Sequence, residues 1–287
     1  MSESFDQRLT RPEGAFTRFQ VTAGVAAIRR TPVPDAEMLT QALGGDTVRV
    51  FREEGEFGLV QMERDGYIGW ALMESLSAPA LATTHRISAL RTYVFSEPSI
   101  KSAPRYMLCQ GAQIVAEGEE GRFLRAARAG YVVREHCAGP GEYEDRPEQV
   151  AQRYLHTPYL WGGKESLGLD CSGLVQMAFA ACGVSLPRDT DMQFALAGDP
   201  LPDWQAPGTL RAGDLIFWKG HVGIMTDSET LIHANAHHMA VAVEPLEGAI
   251  RRIAALYDQP IGARRIDMAG SRHQTPEWLV QALGDEA

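Results

Sequence analysis

Apolar and polar residues alternate in short runs between residues 19 and 76, at 20–28, 47–51, 57–62 and 67–72. Thr47-Val48-Arg49-Val50-Phe51 repeats with period two, the pattern of a strand with one buried face. Gly44-Gly45-Asp46 and Arg64-Asp65-Gly66 fall between the runs as tight turns. Together they predict a small antiparallel barrel. A Ser/Ala/Pro stretch at 77–82 marks a boundary, and a second series of β-like runs extends from 87 to 137. Gly66-Tyr67-Ile68-Gly69-Trp70 and Gly130-Tyr131-Val132-Val133 occupy comparable positions near the two ends, a weak internal repeat. Two unrelated β pieces are the alternative.

The period lengthens after Gly139-Pro140-Gly141 and an acidic linker. A helix is predicted over 147–155 with Pro147 in its first turn, where its missing N–H costs nothing. A second covers 171–182, with Leu174, Val175, Ala178 and Phe179 at helical spacing and Gly183 as its stop. A third spans 190–197. Strands follow at 214–218, 222–226, 230–234, 240–243 and 262–266, with a helical run at 246–253 before the last. Helices followed by antiparallel strands predict an α+β domain. The expected organisation is an arm (1–15), two β-barrels (16–79 and 80–137), the α+β domain (138–267) and a tail (268–287) with a short helix at 277–283.

Length and composition narrow the function. The 287 residues can hold two or three units, and an apolar fraction of 45% supports a real core. A formal charge of -10 argues against nucleic acid, whose binding draws on Lys and Arg, and against an anionic membrane. The first eight residues have no basic start and no continuous apolar run, so they do not read as an export signal. No stretch is long and apolar enough to span a bilayer. Cys109, Cys137, Cys171 and Cys182 show no CxxC spacing and are too sparse for a disulfide framework. The expectation is a cytoplasmic protein.

The candidate chemistry lies in the second half. Pro158-Tyr159-Leu160-Trp161-Gly162-Gly163 precedes Asp170-Cys171-Ser172-Gly173, and His221-Val222-Gly223-Ile224 and Leu231-Ile232-His233-Ala234 follow. Cys171 stands at the mouth of a predicted helix, where the positive end favours thiolate and first-turn N–H groups point at a developing oxyanion. Asp170 is a credible N-cap. Cys182, at the far end of the same helix, fits a buried small hydrophobe. His221 opens a strand and can take and return a proton, while His233 can fix its tautomer. Taken singly, His221 reads equally as a loop histidine and His233 as a core one. A metal on His233, His237 and His238 is not expected: the segment is strand and loop, and no carboxylate lies in the immediate pattern. Asp189 or Thr190 can cap the third helix, and Asp214 a turn. No cofactor is implied.

Taken together, these motifs resemble the NlpC/P60 family of papain-like peptidases over roughly 147–266. Leu186-Pro187-Arg188-Asp189-Thr190 and Gly213-Asp214-Leu215-Ile216-Phe217 add to the match. The resemblance implies a papain-like domain in which Cys171 is the nucleophile, His221 the base and acid, and His233 the orienting group. Tyr159 would lie close to the thiol, at the oxyanion site. The family cleaves amide bonds in peptidoglycan stem peptides. The N-terminal modules resemble bacterial SH3 domains, the first more clearly. The whole order is similar to the γ-D-glutamyl-L-diamino-acid endopeptidases that recycle murein peptides with a free N-terminal L-alanine. That likeness implies amine-binding roles for Tyr67 and Glu37 in the first module, with Asp170, Ser172, Arg188, Asp189 and Thr190 lining the pocket. The family pattern carries serine where this chain has Thr190. A secreted wall hydrolase and a non-catalytic peptide-binding SH3-like protein are the alternatives.

Overall fold

The computed structural model describes residues 6–284. The chain divides into two compact units, Met1–Glu142 with Glu277–Ala287, and Tyr143–Pro276. No helix among the described residues is long and apolar enough to cross a membrane.

In the first unit, seven strands from Thr17–Val21 to Leu76–Ser77 form one antiparallel sheet. It closes over Val21, Ile28, Ala42, Val48, Val60, Met62 and Ala71. These are the inward positions of the period-two pattern, and their burial supplies the main driving force. The run at 20–28 is broken: one strand ends at Val21 and the next is Val25–Arg29. The break has a packing cause. A side chain on Gly24 would meet the backbone oxygen of Met107 in the second β module at 2.2 Å. Met38–Leu43 is a further strand that the pattern did not reveal.

The second module pairs five strands in one sheet and three in another. Gln113 N–H donates to the Gly44 carbonyl at 2.7 Å, and Arg64 to the Gly111 carbonyl at 2.7 Å, so the modules share one unit. Both modules end alike. Ile68–Leu72 and Gly130–Val133 each lead into one 3₁₀ turn, Met73–Ser75 and Arg134–His136, and then a two-residue strand.

The first and last described segments are held by packing and hydrogen bonds. Leu9 is fully buried, and Ile68 N–H donates to the Arg8 carbonyl at 3.1 Å. The expected terminal helix, Glu277–Leu283, packs on the first barrel. There Gln61 Nε2 donates to the Ala282 carbonyl at 2.9 Å and Arg49 Nη1 to the Leu283 carbonyl at 2.6 Å. Two buried side chains thus satisfy carbonyls that a helix end leaves unpaired.

The second unit is the expected α+β domain. Its antiparallel sheet runs in the order Asp199–Pro200, Gly262–Arg265, Leu215–Trp218, His221–Met225, Thr230–Asn235, Ala240–Pro245. Leu215, Ile216, Phe217 and Trp218 are all buried, and the Phe217 ring lies 5.3 Å from that of Phe194 on the Thr190–Leu196 helix. On one face Ile216, Trp218, Met225 and Leu231 pack with Leu246, Ala249 and Ile253 of the Leu246–Leu256 helix. The Cys171–Ala181 helix packs against the His221–Met225 and Thr230–Asn235 strands. The Gly-rich loop holds a short hairpin, Lys164–Glu165 with Gly168–Leu169, absent from the periodicity.

Candidate active site

Cys171 is the first residue of its helix, and Asp170 caps it by accepting from Gly173 N–H at 2.7 Å. Leu174 N–H takes the Asp170 carbonyl at 2.9 Å. The amides of Cys171 and Ser172 therefore remain at the helix opening, beside the sulfur. Gly173 is required here: a Cβ on it would stand 2.2 Å from the Gly163 carbonyl oxygen. Gly163 is equally confined, with the Gly168 oxygen 2.4 Å from its would-be Cβ. The Gly162-Gly163 loop thus lies directly against the turn that carries the cysteine.

The sulfur sits against the entrance of the His221 strand. Its Sγ is 4.0 Å from the Gly220 carbonyl oxygen and also receives a hydrogen bond from the Val222 backbone. These residues flank His221 on both sides. Thr190 Oγ1 lies 3.7 Å from Sγ, so its hydroxyl, despite the added methyl, reaches the sulfur. Tyr159 is held by its N–H on the Met239 carbonyl at 2.9 Å. Burial, then the neighbouring charges of Cys171 and Asp170, push its phenol upward, so it stays a neutral donor.

His221 and His233 come from adjacent strands. His221 Nε2 is 2.8 Å from His233 Nδ1, and His233 Nε2 is 2.7 Å from Glu244 Oε1. Glu244 lies on the next strand, where Ala242 is the residue paired with His233, so His233 and Glu244 are diagonal neighbours on one face. Arg252, on the following helix, binds the same carboxylate oxygen. Glu244 and Arg252 had no signal in the sequence beyond a carboxylate two residues from a strand's register partner.

The hydrogen bonds fix the tautomers. An ionised carboxylate only accepts, so His233 carries its proton on Nε2 and its Nδ1 accepts. His221 must then donate from Nε2, which leaves Nδ1 as its basic nitrogen. Burial, followed by the charges of His233 and Arg252, lowers the His221 imidazole to about 3. Burial also lowers His233, against the opposing pull of Glu244. Burial alone would raise Glu244, yet the bonds and charges of His233 and Arg252 bring it down to about 2.

The thiol behaves differently from its sequence expectation. Burial, reinforced by Asp170, raises Cys171 to about 11, and Thr190, the Val222 N–H and Arg188 offset this only in part. The helix end does not outweigh the loss of water. At rest the site therefore holds a neutral thiol and a neutral imidazole.

Asp170, Ser172 and Arg188 form a closed network. Arg188 Nη1 and Nη2 donate to Asp170 Oδ1 and Oδ2 at 3.0 and 2.6 Å, and Nη1 also to Ser172 Oγ at 2.7 Å. Asp170 Oδ2 further accepts from Gly162 N–H at 2.9 Å. Arg188 is 1% exposed. These groups brace the cysteine turn with one another's charges, a bidentate pair that ties loop to helix. Asp189 is the N-cap residue of the Thr190–Leu196 helix without a side-chain cap bond. In the first unit, Tyr67 is 3% exposed, and Glu37 is exposed and ion-paired with Arg30 at 2.7 Å.

A carboxylate does join the histidines, contrary to the sequence pattern. Donor atoms of His233, His238 and Glu244 lie within 4.8 Å of one another. Each already has a use: Glu244 Oε1 holds both Arg252 and His233, and His238 Nδ1 is 2.9 Å from Asn235 Oδ1. The fixed guanidinium opposes a cation at that oxygen.

Residues 156–254 match the NlpC/P60 family, and residues 28–76 match the bacterial dipeptidyl-peptidase SH3 domain. The chain carries an NlpC/P60 domain. The whole site, from Tyr159 through Cys171 and His233 to Arg252, falls inside the NlpC/P60 match. Dipeptidyl-peptidase 6 of Lysinibacillus sphaericus is 28% identical, aligned over 79% of this chain and 91% of its own. Gamma-D-glutamyl-L-lysine dipeptidyl-peptidase of Bacillus subtilis is also 28% identical, over 70% of this chain and 73% of its own. A crystal structure of an NlpC/P60 family protein from Bacillus cereus superposes with a TM-score of 0.72 at 19% identity, covering 87% of this chain and 99% of the other. The fold is therefore shared over most of the chain, with SH3-like β structure before the NlpC/P60 domain.

Proposed function

We propose that this protein is a cysteine peptidase that cuts the γ-D-glutamyl–diamino acid bond of short murein peptides bearing a free N-terminal L-alanine. The observation that carries the reading is Cys171 at a helix opening, its sulfur bracketed by the neighbours of His221, with His221 hydrogen-bonded to His233. The two dipeptidyl-peptidase relatives support the substrate class.

In the reaction, His221 Nδ1 takes the thiol proton as Cys171 Sγ attacks the γ-carbonyl of D-Glu. The amides of Cys171 and Ser172, with the Tyr159 hydroxyl, receive the oxyanion. His221 then protonates the leaving amine, and water, deprotonated by the same ring, releases L-Ala-γ-D-Glu from the thioester. With thiol and imidazole both neutral at rest, the proton passes to His221 as the sulfur attacks its electrophile. Thr190 borders the sulfur and Asp189, which precedes it, is assigned to the pocket, while Asp170, Ser172 and Arg188 hold the turn in position. The cytoplasm is the assigned compartment. The free thiols of Cys137, Cys171 and Cys182 accord with a reducing environment.

Tripeptides with free and acetylated N-termini test the reading. Cleavage of the free form with loss on acetylation is expected. Equal turnover of both removes the amine-recognition part, and no release of the diamino acid from either removes the substrate.

A further inference from the structure

We propose that Glu244, held by Arg252, is the positioning residue that sets the proton arrangement of the histidine pair and stabilises the cation formed there. This rests on the reading of Cys171 and His221 as the reacting pair. Glu244 Oε1 is 2.7 Å from His233 Nε2, and no proton can come from an ionised carboxylate. Its acceptor character therefore dictates two tautomers in succession and leaves the His221 Nδ1 lone pair available to the thiol.

Remove that acceptor and the order can reverse. His233 would then be free to carry its proton on Nδ1 and donate to His221 Nε2. The His221 proton would move to Nδ1, and no base would remain for Cys171.

The carboxylate has a second use. When the thiol proton reaches His221, one positive charge appears on the hydrogen-bonded histidine pair. Burial opposes that charge on either ring. Glu244 is the carboxylate in contact with the pair, and Arg252 binds the oxygen that faces it. The charged groups facing His233 are Glu244, Arg252, His238 and His221, and those acting on His221 are His233, Arg252 and Glu244. Only Glu244 among them favours protonation. Arg252 opposes it but fixes the carboxylate's position and keeps it ionised, with Glu244 brought down to about 2.

The test compares the full-length protein with Glu244→Gln and Glu244→Leu. Two readouts are needed: kcat and KM on L-Ala-γ-D-Glu-diamino acid, and the rate of Cys171 alkylation by iodoacetamide across pH. Gln keeps shape and an acceptor oxygen but loses the charge; Leu loses both. The expected result is a fall in kcat of about tenfold for Gln and about a hundredfold for Leu, with KM within about twofold and alkylation slowed in step. A Gln variant with wild-type kcat and alkylation overturns the proposal, as does a loss confined to KM. Should the Leu variant fail to fold, the Gln variant decides alone. If wild type neither cleaves the peptide nor alkylates at Cys171 faster than at Cys182, the functional reading itself has failed. If wild type does both and Gln matches it, only the role of Glu244 falls.

Discussion

His221 Nε2 and His233 Nδ1 lie 2.8 Å apart, a bond in which one ring must donate and the other accept. That constraint makes His233 an instrument of His221 rather than a second base. His233→Ala is expected to lower kcat by about a hundredfold while leaving KM within about twofold, since the lost contact matters only as charge develops. Steady-state kinetics on the tripeptide check this; a rise in KM at constant kcat contradicts it.

Cys171 and Cys182 share one helix but stand at opposite ends of it. Cys171→Ala should remove hydrolysis, and Cys182→Ala should leave kcat within about twofold. Burial raises both thiols, to about 11 and about 12, so raw acidity separates them little. What separates them is the neighbouring base. Mass spectrometry of iodoacetamide-treated protein at neutral pH should find the label on Cys171 first.

Acid should destabilise the domain before carboxylates titrate fully. His221 binds its proton near 6.5 when unfolded and near 3 when folded. Between these values the unfolded chain holds more protons, so stability is full above 6.5 and declines as pH falls toward 3. Glu244, lowered from 4.5 to about 2, has the same sign and extends the loss to lower pH. Urea midpoints measured from pH 7 to 3 should fall, and less steeply in His221→Gln. An identical slope in the variant contradicts the assignment.

The Asp170–Arg188 pair is structural before it is chemical. Asp170→Ala removes both the N-cap and the bidentate acceptor of a guanidinium that is 1% exposed and also bonded to Ser172. The expected loss is about 3–5 kcal/mol in denaturant-derived stability, the usual consequence of removing one member of a buried ion pair. A change under about 1 kcal/mol would show that the network relaxes freely.

The order of elements and the reacting groups could be read in the chain, because they depend on neighbours in sequence. Strand and helix periods, the cap at Asp170 and the turn at Gly183 are local, and the helices beginning at Pro147, Cys171 and Thr190 start where the pattern places them. Glu244 and Arg252 reach His233 only because two strands and a helix bring residues 233, 244 and 252 together. The acidity of Cys171 was likewise out of reach: a helix end acts locally, but desolvation depends on everything packed around the sulfur. Gly24 shows the same limit in the first unit, where the backbone of Met107 breaks a run that alternation alone would continue. Sequence determined which pieces form and which residues can react. Tertiary packing decided the proton on each histidine and the charge on the thiol, since those follow from contacts between distant segments and from the water they exclude.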